Sequence, residues 1–367
     1  MSYTIRPLCR WELEAGAEVV RRSFATVADQ FHLTRENCPT NGAFMTPERL
    51  TADFESGVLL YGLFEEGEAA GAASSWPGPL VGFYQLRRRG EGQMELEKLA
   101  VLPQRRRRGY GRALLDHARL TAAKWDGIRL TAGIIEENAQ LKRWYLQNGF
   151  FYTGSRSFDH LPFSVGYVEA PVLPAHLRHR GTVELNTSRL ILRQLRPDDY
   201  LDMFHNWASD PQVSRFLGWK THTDLLETHT ILTQWMPHYQ EPQYYHWTMV
   251  CEGHPIGAIS VHSIDGENKS CELGYCIGRD YWGRGLTAEA VKEVVGFLFT
   301  QVGFWRVGGR HDLQNPASGR VMEKAGMVRE GVLRQSKAYK DGRMGDMAVY
   351  SILRPDWMET EIKKQGE

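Results

Sequence analysis

The chain has 367 residues, 42% of them hydrophobic and 24% charged, and its 44 basic and 44 acidic residues give a formal net charge of zero. This balance gives no overall attraction to nucleic acid or to an anionic membrane, and no apolar run approaches the ~18 residues that a membrane helix needs. The N-terminus lacks the apolar core of a signal peptide, and five scattered cysteines without zinc-ligand spacing fit a reducing compartment. We therefore expect a cytoplasmic protein that holds no metal, and its length suffices for two domains.

The first half shows the periodicity of a mixed α/β domain. Glu66-Gly67 predicts a hairpin turn between two strands, and the segment 31–44 is polar and rich in turn residues. The predicted elements are a strand at 3–7, a helix at 11–30, strands at 58–65, 68–74, 80–87 and 94–102, a helix at 113–124, a strand at 129–135, a helix from Asn138 to Gly149, and a strand at 163–169.

An arginine-glycine run stands between the strand at 94–102 and the helix at 113–124. Glycine there lets backbone N–H groups approach an anion that a Cβ would obstruct, while the helix N-terminus and the arginines add positive charge. The run predicts a pyrophosphate-binding loop, although arginine runs are also typical of solvated surfaces. It lacks the features of a P-loop or a dinucleotide fingerprint, so we do not expect ATP or NAD to compete for it. Its sequence is Arg105-Arg106-Arg107-Arg108-Gly109-Tyr110-Gly111-Arg112.

The same layout occurs again in the second half. A loop with two glycines, Trp282-Gly283-Arg284-Gly285, again separates a predicted strand from a predicted helix. An asparagine and a helix-ending glycine stand eleven residues apart in both halves, from Asn138 to Gly149 and from Asn315 to Gly326. This repeated order indicates a tandem duplication of one domain. The predicted domains are 1–171 and 185–360, joined by a linker at 172–184.

These motifs resemble those of the GNAT superfamily of acetyl-CoA-dependent N-acetyltransferases. In the first half, residues 106–111 match the family's acyl-CoA motif, and Asn138, Tyr145 and Gly149-Phe150 match its second signature. The second half is most similar to the branch that contains the ribosomal-protein alanine N-acetyltransferases. The segments that carry this likeness are 187–193, 272–275, 282–287, 315–318 and 323–327.

The second half departs from the family pattern at two positions. Asp280 stands where this alignment places Arg106 in the first half, and Met322 stands where the first half has Tyr145. An acidic residue beside a pyrophosphate would weaken binding. The alternative that follows is an acyl-CoA-binding regulatory or scaffold protein in which one or both domains are inactive.

The resemblance implies two α/β domains, each a mixed, twisted sheet of about six or seven strands with helices on both faces. It also implies transfer of an acetyl group from acetyl-CoA to a primary amine, which is either a small molecule or a protein N-terminus. The residues implied to contact acetyl-CoA in the first half are Leu99, Val101, Arg106, Arg107, Arg108, Gly109, Tyr110, Gly111, Arg112 and Asn138. In the second half they are Ile277, Trp282, Gly283, Arg284, Gly285, Leu286, Thr287 and Asn315.

A general base is needed because an amine with a pKa near 10 is protonated at neutral pH. The family pattern favours Glu95 as this base, with Glu97 second. The alternation of a strand gives Glu95 and Glu97 the same parity as Leu99 and Val101, so it does not choose between the acids unless a bulge intervenes. Both acids could also be ordinary solvated residues.

A general acid assists the leaving thiolate, and the resemblance implies Tyr145 for this role. A tyrosine on an amphipathic helix is otherwise typical of a core aromatic, and Asn138 could be simply a helix N-cap. In the second half Glu272 is the matching acidic residue, and Ser318 is the candidate to serve the thiol in place of a tyrosine. Ser318 could equally be an ordinary serine in the first turn of a helix.

The acceptor is not specified by any motif. Tyr275 and Tyr339 are aromatic candidates for the acceptor cleft of the second half. The polar segment 31–44 is a candidate acceptor lid in the first half, because the family builds its acceptor clefts from the first helix, the loop after it and the last hairpin.

Overall fold

The structure, a computed structural model, describes residues 2–65, 78–339 and 342–365. The chain divides into two compact units, Met1–Ala175 with Met358–Glu367, and His176–Trp357. The strand predicted at 68–74 and the turn predicted at Glu66-Gly67 lie outside the described residues. Within the described ranges, no helix is long and apolar enough to cross a membrane, and no three His, Cys, Asp or Glu side chains form a group that could hold a metal ion.

The first unit is built on one mixed sheet. Its strands are β1 (Tyr3–Pro7), β2 (Leu59–Glu65), β3 (Leu80–Gly90), β4 (Gln93–Val101), β5 (Arg129–Ile135), β6 (Phe151–Arg156) and β7 (Val165–Pro171). Its helices are α1 (Leu13–Phe31), α2 (Pro47–Glu55), α3 (Tyr110–Lys124) and α4 (Ala139–Gln147). As far as the residues are described, the seven strands lie in the order β1-β2-β3-β4-β5-β7-β6, and only β4 and β5 pair in parallel.

Helices cover both faces of this sheet because neighbouring residues of a strand point to opposite sides. On β3, Phe83 packs in a core with Val20 of α1 and Leu50 of α2. The next residue, Tyr84, packs in a second core with Leu114 of α3. All five side chains are buried, so the first unit has an α1/α2 face and an α3 face.

The second unit repeats this plan with a longer sheet. Its strands are β8 (Leu185–Asn186), β9 (Ile191–Arg193), β10 (His246–Cys251), β11 (His254–Asp265), β12 (Ser270–Ile277), β13 (Arg306–Asp312), β14 (Val328–Ala338) and β15 (Met344–Leu353). Its helices are α5 (Tyr200–Met203), α6 (Pro211–Ser214), α7 (Leu225–Trp235), α8 (Leu286–Phe297) and α9 (Pro316–Lys324). The last helix, α10 (Arg354–Gln365), begins in this unit, and its residues from Met358 onward belong to the first unit. Among described residues the order is β14-β15-β13-β12-β11-β10-β9-β8.

The predicted mixed α/β class is confirmed. The predicted strand number of about six or seven is wrong for the second unit, whose described residues form eight strands. The short β8 accounts for the extra strand, because it adds a two-residue ladder to β9 at one edge.

In each unit, two neighbouring strands run parallel, β4 with β5 and β12 with β13, and they stop pairing before the strands end. The last pair between β4 and β5 is Glu95 with Thr131, and the last pair between β12 and β13 is Leu273 with Gly309. Beyond these points β4 stays paired with β3, and β5 with β7. A cleft therefore opens between the parallel strands, with backbone N–H and C=O groups along its edges that the sheet ladder does not use. Both clefts open towards the glycine loop of their unit.

Candidate functional site

The first arginine-glycine loop, residues 105–112, leads into the N-terminus of α3. Gly109 is the N-cap residue, with φ of 83°, and Arg107 also has a positive φ, of 63°. A Cβ added to Gly109 would meet no atom within 4 Å, so the space at the start of the helix is open. Exposed Arg107 makes no side-chain hydrogen bond or ion pair within the described residues, and Arg112 lies 3.6 Å from Asp116. An open helix N-terminus beside an available guanidinium suits a phosphate group.

Arg106 anchors the first loop through three side-chain hydrogen bonds, although the residue remains partly exposed to solvent. Its Nη2 atom donates to the carbonyl of Ser23 at 2.7 Å and to Oγ1 of Thr26 at 3.0 Å, and its Nε atom donates to the carbonyl of Val101 at 3.3 Å. Burial lowers the pKa of Arg106. The side chain therefore ties the loop to α1 and to the end of β4.

Glu65, at the end of β2, gathers three further residues of the first loop. It accepts a hydrogen bond of 2.8 Å from the Tyr110 hydroxyl, lies 2.8 Å from Nε of Arg105 and lies 3.9 Å from Nη1 of Arg108. This carboxylate offsets part of the positive charge of the loop, and it fixes the loop against the sheet.

The second glycine loop, residues 282–285, has the same backbone as the first. Gly285 is the N-cap of α8 with φ of 78°, and Gly283 has φ of 73°. Gly285 therefore corresponds to Gly109, and Gly283 corresponds to Arg107. The next two residues, which the resemblance also assigned to acetyl-CoA, are buried at the start of α8: Leu286 and Thr287.

This correspondence corrects the sequence alignment of the two halves. The predicted match of Asp280 with Arg106 is wrong, because Trp282 occupies that place. Nε1 of Trp282 donates to the carbonyl of Ile277, the last residue of β12, at 2.9 Å, just as Arg106 donates to the last residue of β4. Asp280 lies in the preceding turn, Arg279–Tyr281, where the first unit has Gln104.

Arg189 adds a positive charge at the second loop. Its Nη1 atom donates to the carbonyl of Arg284 at 3.0 Å, and its Nη2 atom lies 2.6 Å from the carboxylate of Glu289 on α8. Burial by itself would raise the pKa of Glu289, but hydrogen bonds from Thr187, Arg189 and Ser188 outweigh it and lower the pKa to about 2. Glu289 is thus a stable anion that holds the segment before β9 against the loop.

A β-bulge interrupts β4 in the part that borders the cleft. Phe83 pairs with Ala100, whereas Gln85 pairs with Glu97, so β4 carries one more residue than β3 between these pairs. Lys98, inside this interval, has φ of 52°, in the left-handed region. The extra residue of a bulge lies outside the regular ladder. In the second unit, β12 pairs with β11 without a register shift along the corresponding stretch.

The bulge reverses the side on which the following residues lie. Leu99 and Val101 pack against the core on the α3 face, whereas Glu97 contacts residues of the α1/α2 face. The bulge on which the sequence argument depended is therefore present, and the common face of Glu95 and Glu97 with Leu99 and Val101 does not hold, because Lys98 inserts an additional residue between the two pairs. The acids face one side of the sheet and the apolar residues face the other.

The two candidate bases have different partners. Glu97 accepts a hydrogen bond of 2.5 Å from Nε2 of Gln85, and its Oε1 atom lies 3.3 Å from Arg87 and 3.1 Å from Arg89. Glu95 pairs with Arg89. The acceptor sites of Glu97 are therefore largely occupied, and those of Glu95 less so.

Asp53 of α2 and Lys98 complete this charged network. The Lys98 ammonium lies 3.2 Å from Asp53 and 3.6 Å from Glu97, and Asp53 also lies 2.7 Å from Arg87. Burial tends to raise the pKa of both acids, but Lys98 and Arg87, together with the hydrogen bond from Gln85 to Glu97, outweigh it and leave both pKa values below their usual range. The network holds the bulge residue to α2.

Asn138 and Tyr145 lie at the two ends of α4. Oδ1 of Asn138 accepts from the backbone N–H of Leu141 at 3.0 Å, which is an N-cap bond. The Tyr145 ring is buried and packs edge-on against Trp144 and Phe150, at centroid distances of 5.0 and 4.9 Å. Its hydroxyl has no hydrogen-bond partner among the described residues, and burial raises its pKa. The Tyr145 hydroxyl is therefore protonated at neutral pH, and its ring is part of the core.

Glu272 in the second unit lies beside an open cavity. Its carboxylate pairs with Arg310 at 2.5 Å. Tyr339, a predicted acceptor-cleft aromatic, donates its hydroxyl hydrogen to Asp312. The cavity has a volume of about 580 Å³. It is lined by Ser263, Ile264, Asp265, Gly266, Ser270, Cys271, Glu272, Arg306, Gly308, Val349 and Tyr350.

Ser318 contacts a tyrosine across the cleft of the second unit. The Tyr275 hydroxyl donates to the carbonyl of Ser318 at 2.8 Å and lies 3.0 Å from its Oγ atom. Asn315 is the N-cap of α9 but makes no side-chain capping bond. Met322 is buried in the core, as Tyr145 is in the first unit.

Four residues of the two sites were missed by sequence reasoning: Glu65, Asp53, Lys98 and Arg189. Arg189 lies inside a segment that carries the family likeness, so its position offered a signal. Glu65 and Asp53 reach their sites through long-range packing, and nothing local marks them. Lys98 takes its role from the bulge, which depends on the pairing of β4 with β3.

Family models for an acetyltransferase (GNAT) domain match residues 68–151 and 189–328. The uncharacterized N-acetyltransferase YoaA of Bacillus subtilis (strain 168) is 32% identical over 173 residues, which are 47% of this chain and 97% of the relative. The [ribosomal protein uS5]-alanine N-acetyltransferase of Escherichia coli (strain K12) is 23% identical over 185 residues, covering 48% and 93% of the two chains. The crystal structure of a GNAT-family acetyltransferase from Bacillus anthracis is 23% identical, with a TM-score of 0.42, and covers 47% of this chain and 99% of that one.

The chain belongs to the GNAT acetyltransferase family and contains two domains of that family in tandem. It is an N-acetyltransferase, so the family and the enzyme class predicted from the sequence are confirmed.

Proposed function

We propose that the chain transfers the acetyl group of acetyl-CoA to a primary amine by direct attack, and that the first unit is a catalytic centre. The observation that carries this proposal is the course of β4. This strand stops pairing with β5 after Glu95 and bulges at Lys98. It then continues into the first arginine-glycine loop, in which Gly109 is the N-cap of α3. An open cleft, a displaced backbone segment and an anion-binding helix terminus therefore follow one another along a single stretch of chain.

The residues of the first unit fit acetyl-CoA, which supplies the thioester under attack. The open space at Gly109 and the available guanidinium of Arg107 suit the pyrophosphate. The unpaired edge of β4 beyond Glu95 offers backbone groups to an extended chain such as pantetheine, with Leu99 and Val101 in this stretch. A backbone N–H displaced by the bulge suits a carbonyl oxygen that gains negative charge during attack.

Glu95 is the proposed base, ahead of Glu97. The acceptor amine arrives protonated and must lose a proton before its nitrogen attacks. Glu97 already accepts from three side chains and has a lowered pKa, which makes it a weaker base. The amine nitrogen bonds to the acyl carbon, the carbon–sulfur bond breaks, and the sulfur keeps the electron pair. Tyr145, whose raised pKa keeps it protonated at neutral pH, is the proposed proton donor to the sulfur. The two protons that the nitrogen loses pass in turn to Glu95 and then to solvent, and Tyr145 regains its proton from solvent.

A protein N-terminus is the first acceptor to test, followed by small amines. The name of the Escherichia coli relative refers to an alanine of a ribosomal protein, and the second half resembles that branch. In the second unit the cavity beside Glu272 is the proposed place for the amine, because a carboxylate attracts a cationic amine and can accept its proton.

The test is calorimetric titration of acetyl-CoA into the full chain and into two matched variants, Arg108→Glu and Arg284→Glu. These arginines precede the N-cap glycines of the two loops, so each substitution places a negative charge at one predicted pyrophosphate site. We expect two binding sites in the unmodified chain and loss of one site in each variant. Release of CoA is then followed with a peptide that has a free N-terminal alanine and with spermidine. A different result would support the alternative of an acyl-CoA-binding regulatory or scaffold protein. In that case acetyl-CoA binds, no amine is acetylated, and Glu95→Gln leaves the acetyl-CoA affinity unchanged.

A further inference from the structure

The two units carry hydroxyl side chains at different aligned positions around their clefts. Tyr275 lies three residues before Gly278, the N-cap of the turn after β12, and Leu99 lies three residues before Leu102, the N-cap of the turn after β4. Tyr275 therefore takes the place of Leu99. Counted from the helix N-caps Asn138 and Asn315, Ser318 takes the place of Leu141, and Met322 takes the place of Tyr145.

In the second unit, Met322 on α9 replaces Tyr145 and carries no hydroxyl, but Tyr275 and Ser318 supply two hydroxyls nearby. Tyr275 lies on β12 beyond Leu273, the last residue paired with β13, so it borders the open cleft. Ser318 lies in the first turn of α9, and both side chains are half-buried. The hydroxyl of Tyr275 lies 3.0 Å from Ser318 Oγ and donates to the Ser318 carbonyl at 2.8 Å.

This geometry fixes the orientation of Ser318. The hydrogen of the Tyr275 hydroxyl can be shared between the Ser318 carbonyl and Ser318 Oγ, and this arrangement leaves the hydroxyl hydrogen of Ser318 free to point into the cleft. Two contacts from one tyrosine restrain both the backbone and the hydroxyl of Ser318. Burial raises the pKa of Tyr275, so this tyrosine stays neutral at physiological pH and keeps its hydrogen bond.

We infer that the second unit is a second catalytic centre, in which Tyr275 is a positioning residue that orients Ser318 to donate a hydrogen bond to the leaving sulfur. The inference rests on the proposed function. As the amine nitrogen bonds to the acyl carbon, the carbon–sulfur bond breaks and the sulfur takes the electron pair. Ser318 stabilises this charge through its hydroxyl, and the thiolate then takes a proton from solvent. The two protons that the amine nitrogen loses pass in turn to Glu272 and then to solvent. Tyr275 and Ser318 together thus assist the leaving sulfur in the second unit, as Tyr145 does in the first unit.

The test uses the full chain carrying Arg108→Glu, so that turnover comes from the second unit, with acetyl-CoA and a peptide that has a free N-terminal alanine. Tyr275→Phe keeps the aromatic ring and removes only the hydroxyl. We expect it to lower kcat about tenfold, because one oriented hydrogen bond is lost, and to leave KM for acetyl-CoA within about twofold. Ser318→Ala is expected to cause a similar loss, and Ser318→Thr to restore most of the activity. The double variant Tyr275→Phe/Ser318→Ala is expected to lose no more than Ser318→Ala alone.

The matched control is Tyr245→Phe. Tyr245 is buried, and its hydroxyl lies 3.0 Å from Nδ1 of His179, so loss of this hydroxyl should lower the melting temperature without lowering kcat. Additive losses in the double variant, or equal kcat effects of Tyr275→Phe and Tyr245→Phe, would show that Tyr275 is merely structural. Turnover in the unmodified chain but none with Arg108→Glu would overturn this inference alone. No turnover in either chain, with acetyl-CoA bound, would count against the proposed function itself.

Discussion

Gly109 and Gly285 occupy the same position in the two units: each is the N-cap of the helix after a glycine loop, with φ of 83° and 78°. A left-handed conformation at this point turns the chain so that the first N–H groups of the helix face outward from the loop. The two loops thus share a backbone although only two of the eight residues from Arg105 to Arg112, Arg108 and Gly109, are matched by the same residue type in the second loop.

The conformation of Gly109 gives the first prediction. An alanine there would have to adopt the left-handed region, which costs about 1–2 kcal/mol, and its Cβ would stand in the open space of the loop. We expect Gly109→Ala to lower the stability of the chain by that amount and to weaken acetyl-CoA binding at the first site about tenfold. Thermal melting and calorimetric titration measure the two effects.

Gly57 provides a matched control for Gly109. It lies in the same unit, has φ of 82° and, like Gly109, would place a Cβ within 4 Å of no other atom. Gly57→Ala should therefore lose as much stability as Gly109→Ala and keep full acetyl-CoA affinity. If both variants bound acetyl-CoA equally well, the first loop would not be the pyrophosphate site.

The arrangement of elements could be predicted from sequence because its signals are local. Asn138 and Asn315 each begin a helix, and Gly109 and Gly285 each stand between a strand and a helix, so short patterns were sufficient to place them. The bulge at Lys98 could not be predicted in this way. It depends on how β4 pairs with β3, and inserting one residue changes the face of every side chain that follows.

The contrast between Glu95 and Glu97 gives the second prediction. Glu95→Gln should lower kcat of the first unit about 100-fold or more, the contribution expected of a general base, with little change in stability or acetyl-CoA affinity. Glu97→Gln removes a charge that Gln85, Arg87 and Lys98 surround. It should lower stability by about 1–2 kcal/mol, because the half-buried Arg87 and Lys98 lose a counter-ion.

The measurement is turnover in a chain carrying Arg284→Glu, together with thermal melting. A larger loss of kcat from Glu97→Gln than from Glu95→Gln, at full occupancy with acetyl-CoA, would reverse the assignment of the base. Rescue of Glu95→Gln activity at high pH, where more acceptor amine is neutral, would further support Glu95 as the proton acceptor.

Glu289 predicts a dependence of stability on pH in the second unit. Its pKa in the folded state is about 2, below the value of about 4.3 for an unfolded chain. The stabilisation it provides is therefore fully present above pH ~4.5 and is lost as the pH falls towards about 2. Glu289→Gln should lower the melting temperature by about 2–4 °C at pH 7, and the difference from the unmodified chain should shrink at pH 3.

A control for Glu289 is Glu252→Gln. Glu252 is exposed and forms no side-chain hydrogen bond or ion pair within the described part of the chain, so its substitution should leave the melting temperature unchanged at both pH values. A deficit in Glu289→Gln that stayed constant from pH 7 to pH 3 would mean that its carboxylate is not held as an anion by Arg189.

The corrected alignment of the two loops gives the last prediction. Asp280 lies in the turn before the second loop, at the place of Gln104, and is not beside the loop glycines as the sequence alone suggested. Asp280→Asn should change acetyl-CoA affinity at the second site less than twofold, and Gln104→Asp should do the same at the first site. Trp282→Leu should weaken binding at the second site several-fold, because the bond from Nε1 to the Ile277 carbonyl shapes the loop. A tenfold gain in affinity with Asp280→Asn would instead place that carboxylate next to the pyrophosphate and restore the original alignment.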